Sequence, residues 1–214
     1  MRIGLPTGKL EGYKPKDLIG IPWMLAFALR DDGWWLRQDI IWHKVPAMPE
    51  SVTDRCTKSH EYIFLLSKSQ KYYFDQPSIK ERTKQVSIDR YRRSWHGNEE
   101  RDYPTGKQNN LSKVHGQSAG VKEKYETANK RSVWTVNLQP TSEAHFAVFP
   151  QKLIEPMIRA GCPKGGIVLD PFIGSGTAGI VARKLDRNFI GIELNPDYVK
   201  LAEKRIRRKL GIFL

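Results

Sequence analysis

At 214 residues the chain is long enough for one domain with room for an insertion, and at 39% hydrophobic it can bury a core. Its formal net charge of +13 points to a polyanionic partner, nucleic acid first. Two cysteines make no disulfide framework and fit a reducing cytoplasm; the absence of a signal peptide and of any long apolar run excludes an expected membrane span.

Residues 1–14 are polar and glycine-rich, without periodicity. Pro22 suits the first turn of a helix and not its interior, so a helix is expected from near Ile21. Trp23, Leu25, Phe27 and Leu29 recur at helical spacing and Gly33 ends the run, which predicts a core-packed helix. Residues 33–44 are rich in aromatic and β-branched side chains and read as a strand, with core the plainest role for most of Trp34, Trp35 and Trp42. A loop over 45–58 leads to a second strand, 60–67, and Lys71–Asp75 is expected to be its hairpin partner. His43, Cys56 and His60 do not make a recognised zinc spacing and lack a fourth ligand, so no metal site is expected.

From Glu81 to Arg131 apolar periodicity disappears. Twelve Lys/Arg stand against seven Asp/Glu there, and residues 90–96 interleave Arg90, Arg92 and Arg93 with Tyr91 and Trp95, a pattern suited to phosphates and unstacked bases. The segment reads as a mobile, DNA-contacting insertion, with a disordered polar linker as the plainer alternative. Regular structure resumes with a short strand at 130–136. A helix follows from near Pro150, with Leu153, Ile154, Met157 and Ile158 on its buried face.

The richest stretch comes next. Ile167–Leu169 predicts a buried strand ending in Asp170. A turn containing Gly174 and Gly176 follows, then a helix from Thr177 to about Leu185 and a second strand ending at Glu193, 23 residues after Asp170. Acids at the ends of neighbouring strands stand where open α/β sheets bind ligands, and the second acid is placed to accept from ribose hydroxyls. Glycines in the turn would let the backbone approach a ligand closely. The turn is not a full dinucleotide fingerprint and has no P-loop lysine, and Asp170 disfavours a pyrophosphate. A nucleoside with a cationic amino-acid tail fits better, and S-adenosylmethionine is such a ligand; a purely structural turn is the alternative. Asn195 and Pro196 then start a helix as cap and first-turn residue, with Val199, Ala202, Ile206 and Leu210 as its buried stripe. The cations Lys200, Lys204, Arg205, Arg207, Arg208 and Lys209 read as a solvated or phosphate-facing side.

Asp170-Pro-Phe-Ile-Gly-Ser-Gly-Thr177, with Gly191-Ile-Glu-Leu-Asn-Pro196 after it, resembles the cofactor half of bacterial and phage amino-methylating DNA methyltransferases, which methylate the exocyclic amino group of cytosine or adenine. The resemblance implies an α/β, Rossmann-like S-adenosylmethionine-dependent methyltransferase fold with a mostly parallel sheet, formed by residues 1–80 and 132–214, with 81–131 as an irregular basic insertion in the place of a target-recognition region. It implies that Asp170, Phe172, Gly174, Ser175, Gly176, Thr177 and Glu193 bind the cofactor, joined by His145, Phe146 and Pro150. Arg55, Lys58 and His60 would lie near double-stranded DNA, beside the insertion's Arg90, Arg92 and Arg93. A restriction-modification setting is also implied.

The family's catalytic Asp/Asn/Ser-Pro-Pro-aromatic motif is not in this chain, and no catalytic residue is assigned. Asn195-Pro-Asp-Tyr198 departs from it at the third position and falls at a helix start. In the arrangement where the cofactor motif comes last, the catalytic motif would lie upstream of Met1, so the fold is expected to be N-terminally incomplete. Three explanations stand open: a start codon placed too late, a split enzyme completed by another polypeptide, or a decayed, non-catalytic DNA- and cofactor-binding fragment or subunit.

Overall fold

The structure, a computed structural model, describes residues 12–89, 127–138 and 149–211. Helix α1 spans Ile21–Asp31, with a proline in its first turn. It closes in a Schellman arrangement: the Gly33 N–H donates to Arg30 O at 3.0 Å and the Trp34 N–H to Leu29 O at 3.0 Å, with Gly33 at φ +90°. Strands β1 (Trp35–Val45) and β2 (His60–Ser67) follow, paired antiparallel with His43 opposite His60. β5 (Val133–Asn137) lies parallel to β1 on its other side, giving the sheet order β2-β1-β5.

Lys71–Asp75 forms no hairpin with β2. The run instead turns away from the sheet to the helix α2, Gln151–Gly161, where the Asp75 N–H donates to Ala160 O at 2.9 Å. A three-residue 3₁₀ turn, Pro77–Ile79, comes next. The two-residue strands β3 (Glu81–Arg82) and β4 (Thr127–Ala128) pair antiparallel, so the two ends of the basic segment lie side by side. Lys130 Nζ to Glu81 Oε1 at 2.8 Å ties them further.

The second sheet is the parallel pair β6 (Ile167–Asp170) and β7 (Asn188–Gly191), joined by helix α3 (Thr177–Lys184) and followed by α4 (Pro196–Leu210). Parallel and antiparallel pairs thus both occur among the described strands.

Helix α2 connects the two sheets. Its Leu153 packs with Trp42 and Trp134, alongside Ile40, Ile63 and Val136 of the first sheet. Ile154 and Ile158 pack with Ala178, Val181, Ala182 and Leu185, with Val168 and Phe189 of the second sheet against them. Helix α1 covers the opposite face of the first sheet, where the Trp23 ring meets Tyr62 and Phe64 edge-on at centroid distances of 5.2 and 4.9 Å.

Two core expectations are corrected. α1 buries only Ala26, and Ile21, Met24, Leu25 and Phe27 remain exposed because the helix lies on one sheet face and no element of the described residues covers its outer side. β6 is not a buried strand: Val168 packs against the core, while Ile167 is 63% and Leu169 60% exposed, because among the described residues helices cover only one face of the β6–β7 pair. No helix of the described residues is long and apolar enough to cross a membrane.

Candidate cofactor site

The carboxyl ends of β6 and β7 remain stitched together past the ladder. The Ile192 N–H donates to Asp170 O at 2.9 Å, and the Ile173 N–H to Ile192 O at 3.0 Å. The turn between β6 and α3 is therefore laid against the exit of β7 and not free-standing.

The two acids are used differently. Glu193 accepts the Gly174 N–H at Oε2 (3.0 Å) and the Asn195 N–H at Oε1 (2.9 Å), so both oxygens are oriented by backbone donors. Each carboxylate oxygen keeps a further lone pair for a ligand donor. Asp170 Oδ1 accepts the Phe172 N–H at 3.0 Å, and Oδ2 takes no protein hydrogen bond among the described residues. The Phe172 ring stands 86% exposed beside it.

The glycines serve a purpose that spacing alone did not reveal. Gly174 and Gly176 have φ of +49° and +83°, and Gly176 caps α3. A Cβ on Gly176 would stand 3.1 Å from Ile206 Cδ1 and 3.2 Å from Ala202 Cβ. The close approach that Gly176 permits is to α4, so its backbone serves helix packing and turn conformation.

Ser175 likewise faces α4 rather than a cleft. It is 3% exposed, and its carbonyl accepts Arg205 Nη1 at 2.6 Å while its hydroxyl meets the same guanidinium nitrogen. Arg205 is itself buried at 9%, a role the sequence pattern did not disclose because it lies within a run of cations. Its one available signal was position: three residues after Ala202 and one before Ile206, it borders the apolar stripe. Thr177 Oγ1, at the first turn of α3, is buried with no hydrogen-bond partner among the described residues. Such a hydroxyl costs about 1–3 kcal/mol unless something else satisfies it.

Asn195 is the N-cap of α4, its Oδ1 accepting the Asp197 N–H at 2.9 Å. Pro150 is buried and caps α2. His145 and Phe146 lie outside the described residues, as do Arg90, Arg92 and Arg93.

Arg55, Lys58 and His60, expected near DNA, sit in or beside the loop between β1 and β2. Arg55 Nη1 pairs with Glu50 Oε2 at 2.6 Å and also donates to Cys56 O at 3.1 Å. That hydrogen bond from Arg55 holds the Glu50 carboxyl below the usual glutamate range. His60 opens β2, its ring edge-on to Tyr62 at 5.2 Å. No group of three or more His, Cys, Asp or Glu gathers to hold a metal among the described residues.

A family model for DNA methylases of the N6/N4 type matches residues 11–204. The chain belongs to this DNA methylase family. Among the family's curated members, it is 47% identical over 197 residues to the type II methyltransferase M.Cfr9I of Citrobacter freundii, covering 92% of this chain and 53% of that one. It is 47% identical over 199 residues to M.SmaI of Serratia marcescens, covering 93% and 56%. The chain thus spans about half the length of the curated relatives it matches. The cytosine-N4-specific PvuII DNA methyltransferase superposes with a TM-score of 0.60 at 18% identity, covering 96% of this chain and 65% of that one. The M1.HpyAVI–SAM complex superposes with a TM-score of 0.54 at 22% identity, covering 89% and 71%. These likenesses show the fold of the chain as the Rossmann-like one of S-adenosylmethionine-dependent methyltransferases.

Proposed function

We propose that this chain is the cofactor-carrying portion of a site-specific DNA methyltransferase that moves a methyl group from S-adenosylmethionine to the exocyclic amino nitrogen of cytosine or adenine. The observation that carries the reading is the Glu193 carboxylate, held by the Gly174 and Asn195 N–H groups at the exit of β7, against the glycine turn that starts α3. The donor set fits the ligand. Glu193 accepts ribose hydroxyls with the lone pairs that its backbone donors leave over, and Asp170 offsets the positive charge of the amino-acid tail. Phe172 offers an exposed ring for the ligand. Gly174 and Gly176 hold the turn, with Ser175 fastened to Arg205 behind it. His145, Phe146 and Pro150 are assigned to the methionine end. When bound, S-adenosylmethionine supplies a methyl group on a sulfonium, electrophilic toward an amino nitrogen.

The net charge of +13 supports double-stranded DNA as the partner in the cytoplasm, within a restriction-modification pair. Arg55, Lys58 and His60 are assigned to contacts near the flipped base, with Arg90, Arg92 and Arg93 on the backbone. An aromatic amino group is a poor nucleophile, and the side chain that would hold its hydrogens belongs to the Pro-Pro-aromatic motif, which this chain lacks. We assign that motif to a polypeptide segment outside these 214 residues. Calorimetric titration with S-adenosylmethionine and labelled methyl transfer to DNA test the reading together. The chain alone is expected to bind cofactor with little or no turnover. Failure to bind would defeat the cofactor assignment, and robust methylation by the chain alone would defeat the assignment of catalysis to another segment.

A further inference from the structure

Residues 173–176 carry the chain from the tip of β6 toward α3, and each is fixed by a different partner. Ile173 lies so close over Gly191 of β7 that a Cβ there would collide with its side chain. The Gly174 N–H donates to Glu193 Oε2. The Ser175 carbonyl accepts Arg205 Nη1 at 2.6 Å. Gly176 packs on Ala202 and Ile206, and its N–H donates to Ile173 O at 2.9 Å. Gly191 and Glu193 belong to the strand–turn–helix–strand unit that carries the two acids. Arg205 is the one polar anchor among these that comes from outside that unit, from within α4.

The Ser175–Gly176 peptide is the part of the turn with most freedom to lose. It lies between Gly174 at φ +49° and Gly176 at φ +83°, and glycine resists backbone rotation least. Ser175 is 3% exposed, so its carbonyl needs a donor where it stands. The buried Arg205 supplies that donor, and the same guanidinium nitrogen meets the Ser175 hydroxyl. In a planar trans peptide the C=O and N–H point opposite ways, so holding the carbonyl toward α4 aims the Gly176 N–H at Ile173 O. Without the guanidinium, the peptide gains by turning its carbonyl to water. That rotation breaks the Gly176–Ile173 bond and pulls on Gly174 beside Glu193.

We propose that Arg205 is a positioning residue for S-adenosylmethionine: from behind the turn, it holds the turn in its binding-competent form before the cofactor arrives. The inference rests on the proposed function and deepens it by naming what prepares the site. Apparent affinity falls with the fraction of chains whose turn is competent. If loss of Arg205 leaves about one chain in ten with this peptide as observed, cofactor binds about tenfold more weakly with none of its own contacts removed. A residue that only stabilised the fold would act differently, through the folded fraction, which stays near one well below Tm.

The test is made on the 214-residue chain. Arg205→Met removes the donor and keeps aliphatic packing, and Arg205→Lys returns a cationic donor. Glu203→Gly weakens α4 from its exposed side through helix propensity and leaves Ser175 untouched. Calorimetric titration with S-adenosylmethionine well below Tm should show about tenfold weaker binding for Arg205→Met and an intermediate value for Arg205→Lys, with Glu203→Gly within about twofold of the parent. Amide exchange at Gly176, read by NMR without ligand, should be about tenfold faster or more in Arg205→Met and return toward the parent in Arg205→Lys. Unchanged Gly176 exchange or unchanged affinity in Arg205→Met, or an equal loss of affinity in Glu203→Gly, would overturn the proposal. If Arg205→Met does not fold, Arg205→Lys decides by the same two readouts. A parent chain that binds no cofactor defeats the cofactor reading instead, and the ligand-free exchange at Gly176 still decides whether Arg205 braces the turn.

Discussion

Replacing Glu193 separates the two roles the site gives it. In the unliganded chain its carboxylate accepts two backbone N–H groups, from Gly174 at 3.0 Å and Asn195 at 2.9 Å. A hydrogen bond to a charged group contributes roughly 1.5–3 kcal/mol, but an exposed donor regains most of that from water. The Gly174 bond is partly buried and the Asn195 bond exposed, so only the first should count in full. Glu193→Ala should therefore destabilise the ligand-free chain by about 2 kcal/mol. For a domain of this size that is a fall of about 4–8 °C in Tm. Glu193→Gln keeps one acceptor oxygen for Gly174 and turns its amide toward the exposed donor, so about 1 kcal/mol is expected. Loss of the ribose acceptor adds to this in the bound state, and the Ala variant should bind S-adenosylmethionine about 10- to 100-fold more weakly. Scanning calorimetry reads the first effect and isothermal titration the second. A Tm for Glu193→Ala indistinguishable from the parent would refute the carboxylate as the brace of the turn. An unchanged affinity would refute it as a cofactor ligand.

Asp170→Asn keeps an acceptor for the Phe172 N–H and removes only charge, so thermal stability should hold while calorimetric cofactor affinity drops by about tenfold or more. Arg205→Met leaves the buried Ser175 carbonyl and hydroxyl without that partner; urea unfolding should show a loss of about 1–3 kcal/mol, partly recovered by Arg205→Lys. Glu50→Gln releases Arg55 from its ion pair and should tighten DNA binding at low salt; in an Arg55→Ala background the same change should do much less, as fluorescence anisotropy would report. The pair also has a pH signature. Because Arg55 depresses the Glu50 pKa, their attraction persists above the ordinary glutamate range and is lost as pH falls through the lowered value, so the Glu50→Gln effect should vanish in acid.

The elements that could be read from the sequence are those whose signal is local. Pro22 and Gly33 bracket α1 because one fixes φ at a helix start and the other adopts the left-handed end. Asn195 caps α4 within a single turn, and the strand–turn–helix–strand unit around Asp170 is carried by residues close in sequence. What stayed hidden depends on partners distant in the chain. Arg205 reaches Ser175 across 30 residues, and nothing in a cationic run marks which member will be buried. Tyr72 and Phe74 look like strand residues, but their segment turns to α2, where the Asp75 N–H is bound by Ala160 O, a partner 85 residues away. Exposure of α1 and β6 was illegible for a different reason: apolar periodicity states which side chains seek cover, and not whether a neighbour provides it.

The central claim is that the methyl donor sits between the tips of β6 and β7. Photolabelling the chain with methyl-tritiated S-adenosylmethionine, followed by peptide mapping, tests it directly. Label should concentrate in the peptides spanning 166–195 and be abolished by excess unlabelled cofactor. Label spread over the cationic surface, or confined to the β1–β2 loop, would contradict the claim.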